Sequence, residues 1–122
     1  YCLFSKIETR LTTLLEFISE EMTAINNSDR SLIRYLALGT LFFSEFLLIH
    51  PFSNGNGRLS RLLVSYLLKD VLIFPFSLYY NSRQLYLDVL EARNDDEPHA
   101  LLFYFIICIR KTCYDFNYLL QD

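Results

Sequence analysis

Apolar residues recur every three or four positions in the first part of the chain, which is the spacing of one face of an α-helix. The series comprises Ile7, Leu11, Leu14, Leu15, Ile18, Met22 and Ile25. The polar run Asn-Asn-Ser-Asp at 26–29 interrupts it and offers Ser28 or Asp29 as the N-cap of a following helix. The pattern therefore predicts a first amphipathic helix over about 7–25.

The second segment, from about Arg30 to Ile49, is apolar on nearly every side. Such a helix is typical of a buried, central position rather than of a surface. Pro51 ends it, because the residue before a proline avoids the α region. Helical spacing resumes near Asn56, with apolar residues at Leu59, Leu62, Leu63, Tyr66 and Leu67.

Two more helices are predicted in the rest of the chain. Ser82 can cap a fourth helix, and Pro98 suits the first turn of a last helix that runs to about Leu120. The β-branched and aromatic residues of 101–109 would also suit a buried strand, but no neighbouring segment offers a strand partner. We therefore predict an all-α fold, a compact helical bundle that forms one domain over residues 1–122.

Composition narrows the class of protein. With 52% hydrophobic and 20% charged residues, the chain is globular rather than disordered. A net charge of −3 argues against general affinity for nucleic acids or acidic membranes. The most apolar stretches, Tyr35–Ile49 and Leu101–Ile109, fall short of the roughly 20 residues that span a bilayer. The three cysteines, an odd number, indicate reduced thiols and an intracellular protein.

The segment His50–Arg61, HPFSNGNGRLSR, holds two of the chain's three glycines, two arginines and a histidine. Gly55 and Gly57 can adopt positive φ, so that successive N–H groups turn inward and form a concavity for an anion. The helix that begins beside them adds its positive dipole end. Two guanidinium groups three residues apart suit a polyphosphate, and a neutral imidazole can accept a proton from an attacking hydroxyl. Separately, these features are common in turns and on solvated surfaces.

Together they resemble the signature His-Pro-Phe-x-(Asp/Glu)-Gly-Asn-Gly-Arg-x-x-Arg of the Fic domain family, and FFSEFLLIHPF and NSRQLYLDVLEARNDD are similar to its surroundings. The resemblance implies a Fic-type bundle that transfers AMP from ATP to a Ser, Thr or Tyr hydroxyl of a target protein. His50 would be the general base, and Phe52 a buried anchor of the loop. The phosphates would lie against Gly55, Asn56, Gly57, Arg58 and Arg61. Family members that resemble kinase-like toxins carry lysine where this chain has Gly57, so the glycine favours nucleotidyl transfer.

One position departs from the signature: Asn54 stands where the family usually has an acidic ligand of Mg²⁺ or Mn²⁺. An amide oxygen can coordinate these ions but lacks the charge of a carboxylate, so we expect a weak metal site and slow transfer. A nucleotide-binding domain without catalysis is the alternative. A third reading is a Fic transferase that uses UTP, GTP or CDP-choline, since the loop and the arginines read only phosphates.

The resemblance carries further expectations. Tyr79, Tyr80 and Asn81 lie where the family usually lines its adenine pocket, although packing in the core explains the tyrosines equally well. A hairpin flap that holds the target would precede residue 1, as part of a longer protein. The expected partners are ATP and a target protein, with no nucleic acid and no membrane. A homodimer is left open, because the sequence is silent on the oligomeric state. The expected location is the cytoplasm, or a host cytosol for a delivered effector.

Overall fold

The computed structural model describes residues 3–27, 31–72, 78, 83–94 and 98–121. Within these ranges a short 3₁₀ helix, Phe4–Lys6, precedes five α-helices. The α-helices are α1 (Ile7–Asn27), α2 (Leu32–Ile49), α3 (Asn56–Leu67), α4 (Arg83–Asn94) and α5 (Pro98–Leu119). The described ranges contain no strand, so the predicted all-α class is confirmed and 101–109 is helical.

The helix ends agree closely with the sequence pattern, and α2 shows the main difference. This helix begins at Leu32 rather than near Arg30, and the carbonyl of Ser31 accepts hydrogen bonds from the N–H groups of Arg34 (3.1 Å) and Tyr35 (3.3 Å). Its end at Ile49, two residues before Pro51, is as predicted. The predicted caps Ser28, Asp29 and Ser82 lie outside the described residues.

The chain divides into two compact units, Tyr1–Ile73 and Phe74–Asp122. The first unit contains α1 to α3, and α2 packs against both of the other helices. The central helix predicted from the sequence is therefore α2. The second unit contains α4 packed on α5. One domain over 1–122 stays a prediction.

The first unit is held together around α2. The side chains of Tyr35, Phe43 and Ile49 are almost fully buried, and the Tyr35 hydroxyl donates a hydrogen bond to Asn26 Oδ1 at the end of α1. On the other side, Gly39 lets α3 approach closely, because a Cβ atom at this position would lie 3.4 Å from Leu68 Cδ1. Leu68 itself has no exposed surface. These contacts fix α1 and α3 on α2.

The burial of α2 explains why this helix is so apolar. Among the described helices, α2 alone has the length and composition to cross a membrane, with a mean hydropathy of 1.7. More than half of it, 56%, is buried inside the structure, as the core helix of a folded unit requires. Its apolar surface is therefore used in packing against α1 and α3. The expectation that the protein has no membrane partner stays a prediction.

The second unit has its own buried cluster, formed by Tyr86 on α4 and by Leu101, Tyr104, Phe105 and Cys108 on α5. The ring centroids of Tyr86 and Tyr104 lie 6.3 Å apart, a normal separation for an aromatic pair. The Tyr104 hydroxyl donates a hydrogen bond to the carbonyl of Leu78, which is also buried. This bond joins the segment before α4 to the middle of α5.

Candidate functional site

His50 is the residue at which α2 ends, and its backbone is left-handed, with φ 52° and ψ 59°. Its N–H donates to the carbonyl of Phe46 (3.0 Å), which closes the last turn of the helix. It is the single non-glycine residue with positive φ in the part of the chain that the structure describes. This conformation costs a non-glycine residue about 1–2 kcal/mol. The sequence did not predict it, and a glycine here would have been the usual signal.

Asn56 locks the loop between α2 and α3 through its side chain. Its Oδ1 accepts a hydrogen bond from the Phe52 N–H (3.0 Å), and its Nδ2 donates to the Phe52 carbonyl (2.7 Å). Asn56 is buried, whereas the side chain of Phe52 is 52% exposed. The expectation that Phe52 is a buried anchor is therefore wrong: the backbone of Phe52 is the anchored group, and Asn56 holds it.

Gly55 provides the turn into α3. It is left-handed, with φ 78° and ψ 3°, and its carbonyl accepts the N–H of Leu59 (2.9 Å). No side chain caps the helix at Gly55. The N-terminus of α3 therefore presents backbone N–H groups and the positive end of the helix dipole at this turn. Gly57 does not share the positive φ that we expected, because it is already the second residue of α3. The predicted anion-binding concavity thus reduces to one left-handed glycine and a helix N-terminus.

Both arginines lie against this glycine backbone. Arg58 Nη2 is 3.5 Å from the position that a Cβ atom on Gly55 would occupy, and Arg61 Nη1 is 3.4 Å from the corresponding position on Gly57. The segment His50–Arg61 contains no carboxylate of its own, and its two guanidinium groups lie beside the N-terminus of α3. Their proximity to the two glycines fits the predicted phosphate site, although their binding roles stay predictions.

The buried face of α3 differs from the predicted one. Asn56, Ser60 and Val64 are buried, in steps of four residues, whereas Leu62 and Tyr66 are about two thirds exposed, at 67% and 66%. Ser60 Oγ donates to the Gly57 carbonyl (2.9 Å), which satisfies this buried hydroxyl. The sequence pattern assigned the helix face by its leucines and missed Asn56 and Ser60 as supports of the loop. The four-residue spacing from Asn56 to Leu68 was the available signal.

The side chain of Asn54 is exposed beside the loop. No group of three or more His, Cys, Asp or Glu side chains forms a metal site within the described ranges. The donor that this segment offers is one uncharged amide oxygen, which suits Mg²⁺ if phosphate and water supply the other ligands. The residues therefore fit a metal ion that arrives with a nucleotide. Tyr79, Tyr80 and Asn81, the expected adenine pocket, lie outside the described residues.

The chain is similar in sequence to proteins named protein adenylyltransferase Fic. The chain is 28% identical over 88 residues to the protein adenylyltransferase Fic of Aedes aegypti, covering 72% of this chain and 18% of that protein. It is 32% identical over 80 residues to the protein adenylyltransferase Fic of Culex quinquefasciatus, covering 66% of this chain and 15% of that protein. It is 25% identical over 101 residues to the protein adenylyltransferase Fic of Nematostella vectensis, covering 80% of this chain and 24% of that protein.

This chain thus spans less than a quarter of the length of each of these relatives. No solved structure matches it. The model of the Fic/DOC family matches residues 4–68, more than half of the chain, and this range holds α1, α2, the loop and α3. The chain therefore belongs to the Fic/DOC family.

Proposed function

We propose that the segment His50–Arg61 binds the phosphates of ATP and transfers AMP to a hydroxyl of a target protein. One observation carries the proposal: both guanidinium groups lie against the two glycines at the N-terminus of α3, directly after the histidine that ends α2. Family membership and the names of the relatives support the same reaction. In this proposal the main catalytic contribution is orientation and charge stabilisation.

The proposed reaction begins when His50 accepts the proton of a Ser, Thr or Tyr hydroxyl on the target. The hydroxyl oxygen forms a bond to the α-phosphorus of ATP, and the bond between that phosphorus and the oxygen leading to the β-phosphate breaks. Pyrophosphate leaves, and the target retains AMP as a phosphodiester. Arg58, Arg61 and the first N–H groups of α3 would stabilise the charge on the phosphate oxygens.

Asn54 would hold the accompanying Mg²⁺ or Mn²⁺, which would neutralise phosphate charge and assist the departure of pyrophosphate. Since an amide contributes no negative charge, we infer that the chain alone binds the ion with low affinity. Replacing Asn54 by Asp restores the acidic residue of the family signature and should increase transfer at a given metal concentration. An unchanged rate would show that this side chain does not bind the metal.

The direct test is incubation of the chain with ATP labelled at the α-phosphate and, separately, at the γ-phosphate. We expect α-label on the chain itself or on proteins of a cell lysate, no γ-label, and loss of the α-label in His50→Ala. Transfer of γ-label would indicate phosphorylation instead. Absence of α-label with both Mg²⁺ and Mn²⁺ would refute the proposed transfer.

The uncharged Asn54 favours a second candidate, a domain that binds a nucleotide without transferring it. This candidate predicts that ATP raises the melting temperature of the chain while no label is transferred. The shift should disappear in Arg61→Ala. Repeating the measurement with UTP, GTP and CDP-choline would identify the base, which the arginines and the loop do not read.

A further inference from the structure

The first unit contains a groove between α1 and α2 with a volume of about 330 Å³. Its α1 side is one face of the helix, with Arg10, Leu14 and Phe17, and its α2 side is formed by Leu41, Glu45 and Ile49. We call this cavity the α1–α2 groove. All of these residues belong to the unit that contains the segment His50–Arg61.

The lining of the groove is suited to recognition rather than to chemistry. Leu14 and Ile49 are buried and form apolar walls, whereas Phe17 is 42% exposed. Thr13, which also lines the groove, donates its hydroxyl to the carbonyl of Thr9 (2.9 Å). Glu45 is the one metal-binding side chain among its lining residues, so the described groove has no set of metal ligands. An apolar group that enters it loses contact with water and meets carbon atoms.

A charged pair stands beside these apolar walls. Arg10 Nη2 lies 3.6 Å from Glu45 Oε2, and both side chains are partly exposed, at 44% and 31%. At this separation the pair makes an ion contact but no close hydrogen bond, so its donors and acceptors can bond to other groups. A guanidinium can donate to a peptide carbonyl, and a carboxylate can accept from a peptide N–H. An apolar side chain carried by a polypeptide backbone matches both features.

The groove and the proposed base are also adjacent along the chain. Ile49 forms part of its lining, and His50 is the next residue along the chain. Consecutive residues of an extended polypeptide are separated by about 3.3–3.6 Å. On this spacing, a target whose hydroxyl reaches His50 would bring a side chain one or two residues away toward Ile49 and the groove.

We propose that the α1–α2 groove receives an apolar side chain of the target polypeptide, one or two residues from the hydroxyl that is modified. This inference rests on the proposed function, since it makes the groove a specificity element of the same site. It predicts that peptides with Leu or Phe beside the acceptor are preferred over peptides with Glu or Lys. Burial of one such side chain favours binding by roughly ten- to a hundredfold.

The test uses synthetic peptides with a single Ser and with Leu or Glu at each neighbouring position, added to the whole chain. Two measurements are made: the kcat/KM of label transfer from α-labelled ATP, and, without ATP, the shifts of the methyl NMR signals of Leu14, Leu41 and Ile49. We expect the Leu peptide to move these signals in a saturable way and the Glu peptide to leave them unchanged.

A matched pair of variants checks the location. Thr13→Tyr fills the groove, while Thr12→Tyr places the same side chain at the adjacent, exposed position outside its lining. The preference for Leu and the methyl shifts should be lost in Thr13→Tyr and kept in Thr12→Tyr. Equal behaviour of the two variants, or no methyl shift with any peptide, would overturn the inference. Methyl shifts without label transfer in the unmodified chain would refute the proposed transfer and leave the groove as a peptide-binding site.

Discussion

The side-chain amide of Asn56 pairs with both polar backbone groups of Phe52, accepting from its N–H at 3.0 Å and donating to its carbonyl at 2.7 Å. An amide presents a donor and an acceptor side by side, whereas a carboxylate only accepts and an ammonium only donates. The loop between α2 and α3 is therefore closed by a pairing that resembles a backbone ladder. Its conformation depends on the identity of one buried side chain.

The first prediction tests this pairing with one substitution at two sites. Asn56→Asp retains the shape but removes the donor and sets a carboxylate against the Phe52 carbonyl. We expect a loss of about 1–3 kcal/mol in the free energy of unfolding, measured by denaturant titration. Asn54→Asp, at an exposed position, should change it by less than about 0.5 kcal/mol. Equal effects at the two positions would show that the pairing does not stabilise the loop.

A second prediction concerns the two glycines of the loop. Gly55 has φ 78°, so Gly55→Ala should cost about 1–2 kcal/mol of stability. Gly57 is helical, and Gly57→Ala should leave the stability unchanged or raise it by up to about 1 kcal/mol. The new Cβ would nonetheless lie 3.4 Å from Arg61 Nη1 and constrain that side chain. We therefore expect Gly57→Ala to fold normally and to bind ATP more weakly, as measured by calorimetry.

The third prediction follows from the left-handed backbone of His50. Glycine adopts this conformation without strain, alanine with some, and a β-branched residue with the most. We expect stability to fall in the order His50→Gly, His50→Ala, His50→Val, with about 1 kcal/mol between the first two. All three variants should lack transfer activity. A valine variant as stable as the glycine variant would contradict the observed backbone conformation.

The fourth prediction concerns the two described cysteines. Burial raises the pKa of the Cys108 thiol, an effect that a hydrogen bond with Tyr104 partly offsets, whereas Cys113 is exposed. Because the thiolate is the reactive form, Cys108 should resist a thiol reagent at pH 8 in the folded chain. The comparison uses Cys113→Ser and Cys108→Ser, each with Cys2→Ser, so that one thiol remains. Fast labelling of Cys108 would show that it is accessible.

The same raised pKa has a consequence for stability. A thiol whose pKa is higher in the folded state than in the unfolded state stabilises the folded state. This contribution to the free energy of unfolding is fully present below the unfolded pKa of about 8.5. This contribution is lost as the pH rises through the folded pKa. The unfolding free energy of the unmodified chain should therefore fall relative to that of Cys108→Ala between pH 8 and pH 11. A constant difference over this range would contradict the raised pKa.

The helix ends were predictable because strong local signals mark them. Pro51 ends α2 by excluding helical backbone one residue earlier, and Pro98 begins α5, where its missing N–H costs nothing. The periodicity of α1 likewise identified the buried residues Leu14, Ile18 and Ile25. It also included Leu15, which is 51% exposed. A series of apolar residues spaced at three and four covers more of the helix surface than one neighbouring helix can bury.

The rotation of α3 could not be predicted in this way. Apolar counting favours the leucines, but the helix turns Asn56, Ser60 and Val64 inward. Asn56 must face Phe52 to close the loop, and this tertiary requirement overrides the burial of Leu62 and Tyr66. The left-handed His50 was missed for a related reason. The path of the loop, rather than the local preference of histidine, determines its backbone conformation.

The contact between Gly39 and Leu68 has a mechanical consequence for the segment that α2 and α3 enclose. At 1.5 Å of rise per residue, Gly39 lies about 16 Å from His50 along α2, and Leu68 about 18 Å from Asn56 along α3. The two helices thus act as arms of similar length, joined by the loop at one end and by this contact at the other. Spreading the arms by about 1 Å at Gly39 would tilt α3 by roughly 3°. Arg58 and Arg61 lie in the first two turns of α3, beside the loop, and would move by only about 0.2–0.4 Å. The remote contact therefore adjusts the positions of the two arginines finely, and small changes in packing at Gly39 leave them close to the loop.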